Sequence, residues 1–224
     1  MRPVVAAARI AGRVDDAAKL VSIIEEDLKK TSSPFARTHL AMARATFLVE
    51  AGADAPASMM QTVDPSGVAS QVVFANHDLA IGLLHLRNKD TQAAGRMLEA
   101  IRQKAEAMQG AGSTATAASR YSLVSQSEID TMSVIEKILS AAIEFESGQR
   151  DDGVRSMMAA AAAEDRLVFE YGPPAIVKPA WEATGEMLLA LGRNSDAADA
   201  FRNALKRYPN RRISNEGLKA ASSK

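Results

Sequence analysis

Few side chains in this chain are of a type and spacing that could do chemistry. The three histidines are His39, His77 and His85; His77 and His85 stand eight residues apart, with Ile81 between them and Asp78 adjacent. Histidines beside a carboxylate could hold a metal, but ligands for one ion on one helix are wanted at i and i+3 or i+4. Eight residues is about 12 Å of helix, too far for a shared ion. They therefore read as interface or surface histidines, with no metal or cofactor expected. There is no cysteine, so disulfides and thiolate sites are excluded. No Gly-x-Ser-x-Gly element and no phosphate-cradling Gly-rich loop ending in Lys-Ser/Thr occurs, so no catalytic residue is assigned. Among the carboxylates, Glu25-Glu26-Asp27, Glu144/Glu146 and Glu164-Asp165 read as solvated helix faces. Glu182 and Glu186 differ, because i, i+4 spacing puts both on one helix face. They are the partner-binding candidates, as acidic contacts for a basic peptide. The bland alternative is an exposed pair near a helix start, favoured there by the dipole.

What positions those two glutamates is the most ordered pattern in the chain, residues 178–211. Trp181, Gly185, Gly192, Ala197, Phe201, Ala204 and Pro209 follow at intervals of 4, 7, 5, 4, 3 and 5. These intervals fit two antiparallel helices joined by a tight turn. Gly185 and Ala197 are small, so the helices can approach where they cross, and Trp181 and Phe201 fill the space beside that contact. Gly192 follows the apolar run Met187–Leu191, where a left-handed C-cap is wanted. Asn194 or Ser195 can cap the next helix, and Pro209 stops it.

Related strings occur upstream. Gly12-Arg13-Val14-Asp15-Asp16-Ala17-Ala18 parallels Gly192-Arg193-Asn194-Ser195-Asp196-Ala197-Ala198; Gly148–Gly153 and Arg87–Ala94 are looser copies. Each follows an apolar helical run. Their separations, about 75, 60 and 44 residues, describe a degenerate array with insertions.

The order of large, small and Pro positions in 178–211 resembles the 34-residue tetratricopeptide signature. Thr184 and Leu188 depart from it, standing where a large aliphatic and an aromatic are usual. The wider stretch, from Tyr171-Gly172-Pro173-Pro174 to Pro209-Asn210-Arg211, is similar to the C-terminal end of bacterial tetratricopeptide-repeat proteins. Many of those begin with an export signal, and they generally lack an assigned activity. The resemblance implies an all-α, right-handed superhelical solenoid of antiparallel hairpins, about ten helices in one domain over 1–224. It implies a non-catalytic scaffold that binds a protein or peptide in its concave groove, where Glu182 and Glu186 would face. Two other readings stand beside it: a homodimer formed through incomplete end repeats, and an enzyme whose site has no recognised motif.

Composition agrees. Alanine is abundant, aromatics are 4%, and 27 basic residues balance 27 acidic ones. That balance argues against a nucleic-acid scaffold. Residues 193–224 carry net +5, leaving −5 for the rest; this reads as a polar end cap of an array. The start, Met1–Arg9, is too short an apolar run for a signal peptide, and no stretch reaches a membrane span. The default compartment is cytoplasmic, or periplasmic or exported if the chain is part of a longer precursor. Helices are expected near 3–11, 14–30, 34–51, 66–88, 90–109, 121–147, 151–164, 177–191, 195–207 and 211–221. A loop is expected over 52–65, and small residues at 110–119 mark a soft boundary.

Overall fold

The computed structural model describes residues 14–28, 30–31, 33–52, 55–68, 70–114, 124–168 and 175–223. Among them all regular structure is helical. The helices are α1 (Val14–Leu28), α2 (Pro34–Ala51), α3 (Val72–Arg87), α4 (Thr91–Thr114), α5 (Gln126–Glu146), α6 (Arg150–Glu164), α7 (Ala180–Ala190), α8 (Asn194–Arg207) and α9 (Arg212–Ser222), with one 3-10 turn at Ala57–Met60. The expected helix 3–11, the Gly12-Arg13 turn and the Tyr171–Pro174 loop lie outside the described residues. So does the second half of the 110–119 boundary, residues 115–119, while α4 continues through Thr114.

Local chemistry accounts for most ends. Pro34 opens α2 with Ser33 before it. Ser125 and Glu128 form a reciprocal capping box at the start of α5. Pro209 ends α8 at Arg207, and Asn210 takes the left-handed conformation beyond it. One expectation is corrected: the helix expected over 66–88 does not start behind the dipeptide Asp64-Pro65. Asp64 Oδ1 accepts from the Ser66 N–H, Val68 N–H bonds Pro65 C=O, and Gly67 then turns to φ 76°, so a single turn forms and α3 begins at Val72.

One turn recurs at three hairpins. At α7–α8, Gly192 N–H bonds Leu189 C=O and Arg193 N–H bonds Leu188 C=O, with Gly192 at φ 72°. At α5–α6 the same pair of bonds joins Gly148 to Phe145 and Gln149 to Glu144. At α3–α4 it joins Lys89 to Leu86 and Asp90 to His85, with Lys89 held at φ 62° where glycine would be relaxed. All three are Schellman turns, and each next helix starts two residues after the left-handed residue.

The packing register is shared as well. Seven residues before the turn residue stand Gly82, Ala141 and Gly185; five after it stand Ala94, Gly153 and Ala197; nine after it stand Leu98, Met157 and Phe201. These positions are buried throughout. In α1, Ala17 and Val21 keep the same four-residue spacing and are fully buried. Small residues sit where helices meet because there is no room for more. A Cβ on Gly153 would lie 2.7 Å from the Phe145 backbone nitrogen. Gly153→Ala is therefore expected to destabilise by about 1–3 kcal/mol, whereas Gly148→Ala acts only through its left-handed turn. Urea titration of the two variants checks this; an unchanged Gly153→Ala midpoint would contradict the close approach.

Each helix packs on the next in the chain, and α3 also meets α5, α5 meets α7 and α7 meets α9. The core runs through all of them, from Val21 and Phe47 to Ile138, Met157 and Phe201.

Candidate functional site

Two places gather polar side chains in the interior. The first centres on Glu182 in the first turn of α7. Its side chain is fully buried, and every polar direction around it is filled. Lys178 Nζ lies 3.1 Å from Oε1, Arg211 Nε donates to Oε2 at 2.6 Å and Nη2 to Oε1 at 3.0 Å, and Ser214 Oγ donates to Oε2 at 2.6 Å. Burial alone would raise the carboxyl pKa, but Lys178 and Arg211 outweigh it and bring it to about 2. Lys178 also reaches Glu186 at 2.6 Å, and Glu186 is half-buried. Glu50, at the end of α2, pairs with Arg211 at 3.4 Å and Arg212 at 3.3 Å. The first described helical hairpin is thereby tied to the last helix through one buried charge cluster.

This corrects the expectation for Glu182. It is an internal ion-pair partner and no open groove contact, and only Glu186 of the two reaches solvent. The register explains why. Ten residues before the turn residue stand Leu79, Ile138 and Glu182, all fully buried. Leu and Ile at the equivalent positions were the available signal that this position is interior.

The segment ahead of α7 belongs to the same cluster. Asn76 on α3 donates from Nδ2 to Ala175 C=O at 2.8 Å and accepts the Val177 N–H on Oδ1 at 2.9 Å, while Arg211 Nη2 donates to Val177 C=O at 3.1 Å. Ile176 and Val177 are buried. Glu164, at the end of α6, accepts from the Ala180 N–H at 2.7 Å and from the Tyr208 hydroxyl at 2.6 Å; burial raises its pKa despite those bonds. Trp181 is half-buried, with Nε1 donating to Asp165 at 2.9 Å.

The second place is a cleft of about 320 Å³ whose lining includes Thr62, Asp64, Phe74, His77, Asp78 and Lys104. His77 is fully buried, which corrects its reading as an interface or surface residue. Nε2–H donates to Met59 C=O at 3.0 Å, since a carbonyl can only accept, so Nδ1 is left as an acceptor. Asp78 is buried against Lys104, Nζ to Oδ2 2.6 Å, and burial raises its pKa in spite of that cation. His85 lies at the far end of α3 and does not line the cleft. Its separation from His77 is as the spacing predicts. No group of three His, Cys, Asp or Glu with metal-binding geometry occurs among the described residues.

Comparison with known proteins adds no identity: no family model, curated protein or solved structure matches the chain. No helix among the described residues is long and apolar enough to cross a membrane.

His77 carries a pH dependence. Burial depresses its pKa from 6.5 to about 4, with Arg44 and Lys104 adding to the effect. The unfolded chain takes the proton below pH 6.5 and the folded chain only near 4. His77 stability is thus fully present above 6.5 and lost as pH falls towards 4, about 3 kcal/mol in all. His77→Gln removes that titration. Urea-unfolding free energies at pH 7 and 4.5 should converge for wild type and His77→Gln as pH falls. Parallel curves would contradict a neutral buried imidazole.

The basic surplus of residues 193–224 is partly spent internally. Arg193 pairs with Asp196, Arg202 with Asp199, Arg211 with Glu182 and Glu50, and Arg212 with Glu50 and Glu216.

Proposed function

We propose that this chain is a tetratricopeptide-type solenoid, right-handed in its superhelix, that binds another protein or an extended peptide without catalysing a reaction. The observation that carries the reading is the recurrence of one turn and one packing register in three successive hairpins. Stacked hairpins present a largely preformed surface, so little ordering entropy is lost on binding. Buried side chains of α2 and α3 also bind the backbone of connecting segments: His77 and Arg44 bind the carbonyls of Met59 and Gln61, and Asn76 binds Ala175 and Val177.

Affinity capture from lysate of the source organism tests this, with Glu186→Lys run beside wild type. Glu186 is chosen because its reversal leaves the buried Glu182–Arg211 pair in place. A stoichiometric foreign protein held by wild type and weakened by the variant is the expected result. Recovery of the chain alone, with a mass that rises with concentration in light scattering, would replace the scaffold reading by self-assembly. Exposed Ile23 and Phe35 on α1 and α2 favour that second reading.

A further inference from the structure

We infer that the cleft between residues 62–65 and the α3–α4 hairpin is a binding site for a small neutral molecule with a primary carboxamide head and an apolar body. It is independent of the scaffold reading, since it rests on a different part of the molecule. α3 brings Phe74, His77 and Asp78 to the cleft at i, i+3 and i+4, and α4 brings Ala100 and Lys104 from successive turns. At about 320 Å³ the space is at the lower end of the roughly 300–1,000 Å³ that ligand pockets occupy.

The interior around Glu182 is filled in every polar direction; this cleft is not. His77 and Asp78 are only 1% and 2% exposed. His77 uses Nε2–H on Met59 C=O, and nothing among the described residues donates to Nδ1. Asp78 accepts no hydrogen bond among the described residues: Lys104 Nζ is 2.6 Å from Oδ2 but outside hydrogen-bonding angles, so charge holds the pair. Buried acceptors without a donor are the exception in folded proteins and call for a partner. The opposite wall is open backbone. Thr62, Val63 and Asp64 lie outside any helix, and their N–H and C=O groups form no hydrogen bond among the described residues.

Charge and shape select the ligand. Lys104 balances Asp78, Arg37 lies 3.4 Å from Asp64 at the rim, and burial keeps His77 neutral, so the cleft presents no net charge for an ion to neutralise. A carboxamide has two N–H donors and one acceptor. The N–H groups match His77 Nδ1 and the Asp78 carboxylate. The carbonyl matches the remaining donors of the Lys104 ammonium or the backbone N–H groups of 62–64. Phe74 and Ala100 provide the apolar surface for the body of the molecule.

The probe is benzamide, titrated into the isotope-labelled full chain and followed by amide chemical shifts, with benzoate and benzamidine as controls of the same shape. Benzamide should shift the Thr62–Asp64 amides saturably. Benzoate has no N–H to donate and meets the Asp78 charge; benzamidine has no carbonyl and brings a cation to Lys104. Each should bind at least tenfold more weakly. Ala100→Leu fills the space from a half-buried wall position, leaves the buried charges untouched, and should weaken benzamide at least tenfold. Lys104→Met should do the same by removing a donor. Unchanged binding in both variants would put the probe elsewhere and overturn the inference. Benzamidine or benzoate binding as tightly as benzamide would overturn the neutral carboxamide class. No saturable shift from any of the three would mean a cleft that holds only water, and would overturn the site itself.

Discussion

Glu182→Ala is expected to cost about 3–5 kcal/mol of folding stability, a large share of the roughly 5–15 kcal/mol a domain usually has. The reason is what the substitution leaves behind. Glu182 is fully buried and opposed by Lys178 and Arg211, both largely withdrawn from water. Removing the carboxylate strands part of two cations in the interior and leaves the Ser214 hydroxyl without its acceptor. Glu186→Ala, on the same helix face, should cost at most about 1 kcal/mol, because its side chain is 38% exposed and its charge is screened. Denaturant titration of both variants, with Glu182→Gln to separate charge from volume, measures the contrast. Similar losses for Glu182→Ala and Glu186→Ala would contradict the buried cluster. The charge carries an acid signature as well. With its pKa held at about 2 against 4.5, Glu182 stabilises fully above pH 4.5, and that contribution is lost as pH falls towards 2.

Phe201→Ala should be as damaging, about 3–5 kcal/mol, through an unrelated mechanism. The ring is fully buried and lies against Gly185 of α7 and Gly217 of α9, so one side chain of α8 joins the last three helices. At Gly185 a Cβ would come within 2.7 Å of the ring, which leaves no slack for the neighbours to close the cavity partway. Equilibrium unfolding gives the magnitude, and hydrogen exchange gives its distribution, with the largest loss of protection expected in α7–α9. A loss under 1 kcal/mol would mean the ring is not the shared core of those helices. Phe201→Leu should recover most of the difference.

Most helices among the described residues were legible in the sequence. α2 spans the expected 34–51 and α6 to α9 begin and end within three residues of expectation, whereas α3 begins six residues later than expected, α4 ends five later and α5 begins five later. Their limits are set by local chemistry: Pro34 and Pro209, the Ser125/Glu128 box, and Gly148 and Gly192 at left-handed turns. The turn at Lys89 was harder to place, because a non-glycine residue occupies the left-handed position, and the matching string Arg87–Ala94 sits a residue out of register. Asp64-Pro65 misled for the opposite reason. It is a helix-opening dipeptide, but Gly67 follows closely enough to end the turn it starts.

The candidate site was legible only in part. That Glu182 and Glu186 share a helix face follows from their spacing, and Lys178 does bridge both. Which of them meets water does not follow from that spacing: the one hint was Leu79 and Ile138 at the equivalent positions, and the burial itself depends on what arrives from far along the chain, Arg211 just ahead of α9, Ser214 from α9 and Glu50 from α2. His77 was misread on the same ground, since its partner is a carbonyl in a loop that an isolated helix does not contain.

The sequence by itself determined the helical character of the described residues, most of their element boundaries and the spacing of small and large residues at hairpin crossings, because capping, turn geometry and 3.6-residue periodicity act over a few neighbouring residues. Only the tertiary structure decided that a glutamate on an amphipathic face lies inside, that segment 175–178 fills the space beside it, and that charges from residues 50, 178, 182 and 211 share one cluster. Those outcomes depend on desolvation and close approach between groups up to about 160 residues apart, and no local rule encodes them.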